Sequence, residues 1–201
     1  MTSNIQEYED SYIRNLAILA EFRDPNVRAH LKRIKRYSMI ICDGLGLPED
    51  TAKQISIAGQ LHDVGKAAIP DEINLKSGEL SDEEWKLSKT HVTVGYKFLA
   101  EFESPNFKLA QEIAISHHER WNGSGYPNGL SKEKIPLSGR IIGVVDTFDA
   151  LTSERSYKKK ISPFDALDLL NNSKGKLFDP NIIEILNLYF VEILKIYDEN
   201  S

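Results

Sequence analysis

The residues with the greatest chemical potential in this sequence are its five histidines, His30, His62, His91, His117 and His118. His62 is followed at once by Asp63, and His117 by His118. Imidazole and carboxylate together are the ligands expected for zinc, iron or manganese. Successive helical residues point about 100° apart, because a turn takes about 3.6 residues. A single core therefore cannot easily satisfy both members of such a pair. Two metals, commonly about 3.5–4 Å apart, can take one side chain each or share a bridging carboxylate. Each histidine taken alone reads more readily as a hydrogen-bonded core residue than as a ligand. Taken together, that reading buries several polar groups at once, which is costly unless each finds its own partner.

Two further residues extend the set. Lys66 lies three residues after Asp63 and so projects from nearly the same face. Its ammonium would meet a substrate phosphate just beyond the metals, or it is a solvated lysine at a helix end marked by Gly65. Asp146 sits near Val145 and Phe148 on an otherwise apolar helix start. By itself it reads as a structural cap or ion-pair residue rather than a ligand.

The elements that must position these side chains read as helices. Ile5, Tyr8, Tyr12, Leu16 and Leu19 keep the spacing of a buried stripe on a leading helix. Asp24-Pro25 predicts an N-cap and first helical position. The helix beyond it carries Val27, His30, Ile34, Tyr37 and Ile41 on one face. Leu47-Pro48 opens another, with Ala52, Ile55, Ala58, His62 and Gly65 along one side. Ser81 to Glu84 forms a capping box, with Leu80 and Trp85 placed for a hydrophobic staple, and that helix is read as continuing through His91 to Phe102. Ser104-Pro105 starts a helix bearing Ala110, Ile113 and His117. Gly123, Gly125, Pro127, Asn128 and Gly129 mark a loop that helix cannot cross. Helix resumes near Ser138, and again after Ser162-Pro163 and Asp179-Pro180. The expectation is one all-α domain of roughly seven to nine helices with little β structure.

Composition narrows the function classes. A chain of 201 residues, 41% apolar and 27% charged, fits a soluble globular domain that can bury its own core. The net charge of −5 argues against a binder of nucleic-acid polymers, though a local basic cluster could still hold one small anion. The lone cysteine, Cys42, excludes an internal disulfide and a thiolate metal cage, and fits a reducing cytoplasm. No apolar run reaches the length of a membrane span, and the polar, acidic N-terminus is not that of a signal peptide.

With these residues in view, His62-Asp63-Val64-Gly65-Lys66 resembles the signature of the HD phosphohydrolase superfamily. His117-His118-Glu119-Arg120, Gly125-Tyr126-Pro127 and Gly129-Leu130 resemble its HD-GYP subfamily. The match continues through Ile135-Pro136-Leu137, Arg140-Ile141 and the run Asp146 to Ser153. It extends to Arg155, Tyr157 and Phe178-Asp179-Pro180, covering roughly residues 27 to 190. The HD pair alone is weak evidence, whereas the ordered set with the GYP loop is specific.

The resemblance implies an all-α HD-domain helical bundle with a GYP loop, residues 24–201, behind a short helical extension at 1–23. It implies a metal-dependent phosphodiesterase that hydrolyses cyclic di-GMP to linear pGpG, with a second cut to GMP open to the family. Its ligands would be His30, His62, Asp63, His91, His117, His118 and Asp146, with Asp63 bridging two metals. Asp63 and Lys66 would act in catalysis. Lys66, Arg155 and Lys158 would hold substrate phosphates, and Tyr126 would lie near the site mouth. Iron or manganese is favoured, with zinc also fitting the donors. Many members carry a glutamate four residues before the first histidine as ligand to a third metal. Here Asn26 stands there, and a neutral amide is a poor ligand beside a carboxylate, so two divalent ions are expected. Asn122 and Lys160 also depart from the pattern. A cyclic dinucleotide-binding regulatory module, interacting with a diguanylate cyclase through the GYP loop, is the alternative reading. An HD enzyme acting on other nucleotides is a third. A mixed cyclic GMP-AMP ring remains open as substrate.

Overall fold

The computed structural model describes residues 2–154 and 160–199. Its α-helices are α1 (Thr2–Ala20), α2 (Val27–Gly44), α3 (Glu49–Ala58) and the four-residue α4 (Asp71–Asn74), followed by α5 (Asp82–Ser88) and α6 (His91–Leu99). They continue as α7 (Pro105–Ser116), α8 (Leu137–Thr152), α9 (Pro163–Asn172), α10 (Pro180–Leu188) and α11 (Phe190–Asp198). Among the described residues β pairing is limited to two isolated bridges, Asn122 with Ser131 and Lys174 with Phe178. The all-helical expectation therefore holds, with more and shorter helices than the seven to nine read from periodicity.

The extra helices arise where the chain must turn to aim a side chain. The helix read from Ser81 to Phe102 is broken at Lys89-Thr90. Thr90 Oγ1 donates to the Leu87 carbonyl at 2.6 Å, a local side-chain bond of the kind that competes with helix propagation. α5 before the break buries nothing, whereas α6 after it buries His91, Val92, Gly95 and Leu99. The helix read through His62 likewise stops at Ala58. It gives way to 3-10 turns at Gly59–Leu61 and Val64–Ala68, so His62 and Asp63 sit between two tight turns rather than within a helix.

Local signals explain most of the starts. Ser81 accepts from Glu84 N, and Glu84 returns a bond to Ser81 N at 2.7 Å, completing the capping box. Ser104, Ser162 and Asp179 each accept a backbone N–H ahead of a proline. Asp24 caps a preceding turn through Asn26 N at 2.8 Å, and α2 starts two residues later than the Asp-Pro pair suggests.

α2 is the central strut. Its stripe of Val27, His30, Ile34, Tyr37 and Ile41 is buried as its spacing requires, and it packs against α3, α8 and α11. Each fully buried aliphatic side chain of this kind contributes about 1.5–3 kcal/mol. α1 turns a different face inward than its large residues suggest. Ile13, Ala17 and Ala20 are buried, while Tyr8, Tyr12 and Leu19 are exposed. Small side chains let α1 lie close to the core, a choice that periodicity of large residues conceals. Cys42 is fully enclosed, and burial pushes its thiol up to about 12, so it is an inert core residue. No helix among the described residues is long and apolar enough to cross a membrane.

Candidate metal centre

Five segments converge on one end of this bundle. His30 comes from α2, His62 and Asp63 from the tight turns after α3, and His91 from the first residue of α6. His117 caps α7 with His118 next to it, and Asp146 lies midway along α8. Their ligand atoms fall into two groups, each within 4.8 Å of one another: Asp63, His91, His117 and His118; and His30, His62 and Asp146.

Asp63 stands between the groups. Its Oδ1 is 3.2 Å from His91 Nε2 and 3.7 Å from His117 Nε2. Its Oδ2 is 3.2 Å from His62 Nε2 and also meets Lys66 Nζ. His62 Nε2 lies 3.6 Å from Asp146 Oδ1. Lys66 also reaches Glu21 Oε2 at 3.3 Å, so the residue just past α1 helps hold the ammonium over the site.

The second nitrogen of most rings is committed to the chain itself. His62 Nδ1 faces Gly59 O at 2.9 Å, His91 Nδ1 faces Ser88 O at 2.7 Å, and His117 Nδ1 faces Ala114 O at 3.1 Å. A carbonyl can only accept, so each Nδ1 carries the proton and each Nε2 keeps a lone pair. This is the outer-shell pattern that orients imidazoles toward a metal. His30 differs in using a carboxylate, Asp149 Oδ2 at 2.7 Å. Asp149 is in turn gripped by Arg33, Nε to Oδ1 at 2.5 Å and Nη2 to Oδ2 at 3.1 Å.

Four buried atoms in the cluster, His62 Nε2, Asp63 Oδ1, His91 Nε2 and His117 Nε2, have no hydrogen-bond partner. Burying so many polar atoms unsatisfied is expensive, and a cation among them would satisfy them all. The donor set fits a divalent metal. Electrostatics divide the ligands. Burial, then neighbouring His117, pushes His118 well below the usual histidine range, and burial lowers His117 too. Burial also opposes charge on His62, but without a cation Asp63 and Asp146 outweigh it and hold that ring well above the usual range, so a metal binding at Nε2 would displace a proton there. For Asp63 and Asp146 burial is likewise overcome, by Lys66 and His62 in the first case and His62 in the second, so both stay ionised.

The loop after His118 closes one side. Glu119 is buried, and its carboxylate accepts Asn128 N at 2.7 Å and Leu130 N at 2.9 Å, pinning the Gly125-Tyr126-Pro127 segment. Tyr126 stacks on His118 with centroids 4.9 Å apart, and Trp85 meets it edge-on at 6.2 Å. Burial raises the Tyr126 phenol above its ordinary value, so it remains a neutral donor. Asn26 lies beyond the cluster, with its Nδ2 donating to Glu154 O at 3.2 Å. Arg155 and Lys158 lie outside the described residues.

Arg33, Asp149, Glu119 and Glu21 were not assigned roles from the sequence. Asp149 could have been suspected, because it follows Asp146 by three residues and so shares its face. Arg33 has the same relation to His30. Glu21 carried no local signal.

Close backbone approach makes the cluster possible. A Cβ on Gly65 would sit 2.0 Å from His91 O and 2.6 Å from Gly95 N, so the turn after Asp63 lies directly on α6. Gly65→Ala is expected to push the His62-Asp63 turn away from His91 and to cost about 2–3 kcal/mol through overpacking. Metal content by elemental analysis should fall together with the melting temperature. Full metal content in a stable Gly65→Ala protein would contradict this account.

Fold and site together define a helical domain with a buried, clustered set of imidazole and carboxylate ligands. The chain belongs to the HD domain family, whose model matches residues 14–182. A cyclic di-GMP phosphodiesterase of Thermotoga maritima is 41% identical over 194 residues, covering 95% of this chain and 53% of that protein. A 3'3'-cGAMP-specific phosphodiesterase of Vibrio cholerae is 39% identical over 193 residues, covering 96% of this chain and 37% of that protein. The chain thus spans about half the length, or less, of these curated relatives. A solved cyclic GMP-AMP-specific phosphodiesterase of Vibrio cholerae shares the fold, with a TM-score of 0.68 at 21% identity, covering 96% of this chain and 50% of that one.

Proposed function

We propose that this domain is a metal-dependent phosphodiesterase of cyclic dinucleotides, with cyclic di-GMP the first substrate to test and linear pGpG the first product. The observation that carries the reading is the set of four partnerless buried ligand atoms gathered around Asp63, beside the Lys66 ammonium. Such an arrangement suits hydrolysis, because binding a dinucleotide alone needs no buried metal ligands. The 41% identity to a cyclic di-GMP phosphodiesterase supports the substrate class.

His30, His62 and Asp146 would hold one divalent ion, and His91, His117 and His118 the other, with Asp63 shared. Metals bound there supply Lewis acidity and lower the pKa of water toward neutrality. The protein's own groups do the rest. Carbonyls at Gly59, Ser88 and Ala114 keep the ring protons on Nδ1, so each Nε2 points its lone pair inward. Lys66 offers its ammonium to the phosphoryl oxygens where charge grows during cleavage. Glu21 and Asp63 hold that ammonium in place. Tyr126 and Trp85 flank the mouth with aromatic surface on which a base can stack. Arg155 and Lys158 are assigned to substrate phosphates on the motif match. Asn26 presents an amide where a third metal would need a carboxylate, which supports two ions. Iron and manganese lead zinc for this mixed donor set. α1 belongs to the working domain in this reading, since Ile13, Ala17 and Ala20 enter the core.

The test is direct. Protein purified anaerobically is analysed for metal and then followed by chromatography with cyclic di-GMP in the presence of iron, manganese or zinc. Conversion to pGpG by the metal-loaded protein is the expected result. Tight binding without turnover would instead favour a regulatory module, one whose GYP loop docks a diguanylate cyclase. Preference for a mononucleotide would move the chain to another HD activity.

A further inference from the structure

A second feature lies apart from the metal centre, on the face where α1 crosses α2. Arg28, Lys32 and Lys35 follow one another on α2 at spacings of four and three residues and so project as one stripe. Arg14 of α1 converges on that stripe. Together with Ile18 and Gln60 these four cations line a cavity of about 280 Å³, and none of the six residues belongs to either ligand group.

A solvated helix face normally intersperses its charges, and like charges at this spacing repel. In a chain of net charge −5 the stripe is a local positive excess. Lys35 pairs with Asp10 at 2.6 Å. Among the side chains described, residues 8–154 and 160–199, no carboxylate lies within ion-pair distance of Arg14, Arg28 or Lys32. Glu199, held by Arg36, feels Lys32 only at longer range. The cavity also has a polar lining group inside the fold. Gln60 is 2% exposed, and its Nε2 donates to Ile57 O at 3.3 Å, which leaves the amide's second N–H for another acceptor.

We propose that this cavity is a binding site for a small phosphorylated anion, held by its phosphate. Guanidinium groups match phosphate oxygens bidentately, and lysines add point charge. The volume is just below the roughly 300–1,000 Å³ of small-molecule sites, which leaves room for a phosphate and a small group attached to it. Gln60 belongs to the Gly59–Leu61 turn that leads directly into His62, which places the anion behind the metal centre rather than in its mouth. The site stands whether or not the metal centre cleaves cyclic dinucleotides.

Calorimetric titration of the whole chain at low ionic strength, with pyrophosphate and separately with 5'-GMP, tests the site. Arg28→Ser/Lys32→Ser is compared with Lys97→Ser/Lys134→Ser, which removes the same charge elsewhere. All four side chains are exposed, so both doubles should fold, as circular dichroism would verify. The Arg28/Lys32 double is expected to weaken one binding event at least about tenfold, and the control double to leave it unchanged. Equal affinity for both probes identifies phosphate as the ligand, while tighter 5'-GMP binding adds the nucleoside. No binding of either probe to the unaltered chain would overturn the proposal. So would identical isotherms for the unaltered chain and the Arg28/Lys32 double, or equal weakening in both doubles.

Discussion

Asp63→Ala is expected to empty the metal centre and to lower cyclic di-GMP turnover by at least about 10³-fold, roughly 4 kcal/mol of barrier. The far-UV spectrum should not change. The size of the effect follows from position. Every histidine serves one ligand group, but Asp63 faces His91 and His117 with one oxygen and His62 with the other. Its loss therefore removes a donor from both groups at once. It also removes the charge closest to where two cations would sit, and buried cations without counter-charge are strongly disfavoured. Asp63→Asn separates charge from shape, because it keeps the volume and one carbonyl oxygen. It should resemble the alanine variant in metal content if charge dominates. Full turnover in either variant would remove Asp63 from the mechanism.

Asp149→Ala should produce the largest loss of stability among single changes near the site. Asp149 is 0% exposed and Arg33 5% exposed, and removing one partner of such a pair leaves a charge buried and uncompensated. That typically costs about 3–5 kcal/mol, or roughly 10 °C in melting temperature for a chain of this size. Arg33→Met added to Asp149→Ala should recover part of the loss, because the stranded guanidinium is then gone. A distinct effect is expected on metal. His30 loses the acceptor for its Nδ1–H, so affinity of the His30, His62 and Asp146 group should fall about 10–100-fold. The group containing His91 and His117, whose rings are oriented by carbonyls, should be far less affected. Thermal melts and metal titrations of the single and double variants distinguish the two effects. A single variant that melts with the unaltered chain would show that the network contributes no stability.

The inward aim of His30, His62 and His91 is legible because their neighbours are apolar at helical spacing. The stripe from Val27 to Ile41 fixed the face of α2 without any tertiary information. Less legible was the leading helix, where the core accepts Ile13, Ala17 and Ala20 and leaves Tyr8, Tyr12 and Leu19 outside. Periodicity weighs large residues, whereas close helix packing here favours small ones. The breaks at Ala58 and at Lys89-Thr90 are only weakly signalled: Gly59 follows the first and Thr90 marks the second, but both residue types are also tolerated inside helices. Groups behind the ligands were hardest to see. Arg33, Asp149, Glu21 and Glu119 act across 45 or more residues of sequence, or through backbone N–H groups of a loop.

The division of ligands among separate segments has a topological consequence. Either group, once joined by an ion, ties together points far apart along the chain: His30 to His62 to Asp146 in one, Asp63 to His91 to His117 in the other. The two ties interleave, because His62 and Asp63 are adjacent in the chain and anchor one tie each. Each closes long loops in the unfolded ensemble, as a crosslink would, in a chain whose lone thiol rules out disulfides. A bound ion would thus work as a reversible staple. Its removal would loosen the ends of α2, α6, α7 and α8 that meet at the site, while their shared apolar core keeps the helices packed.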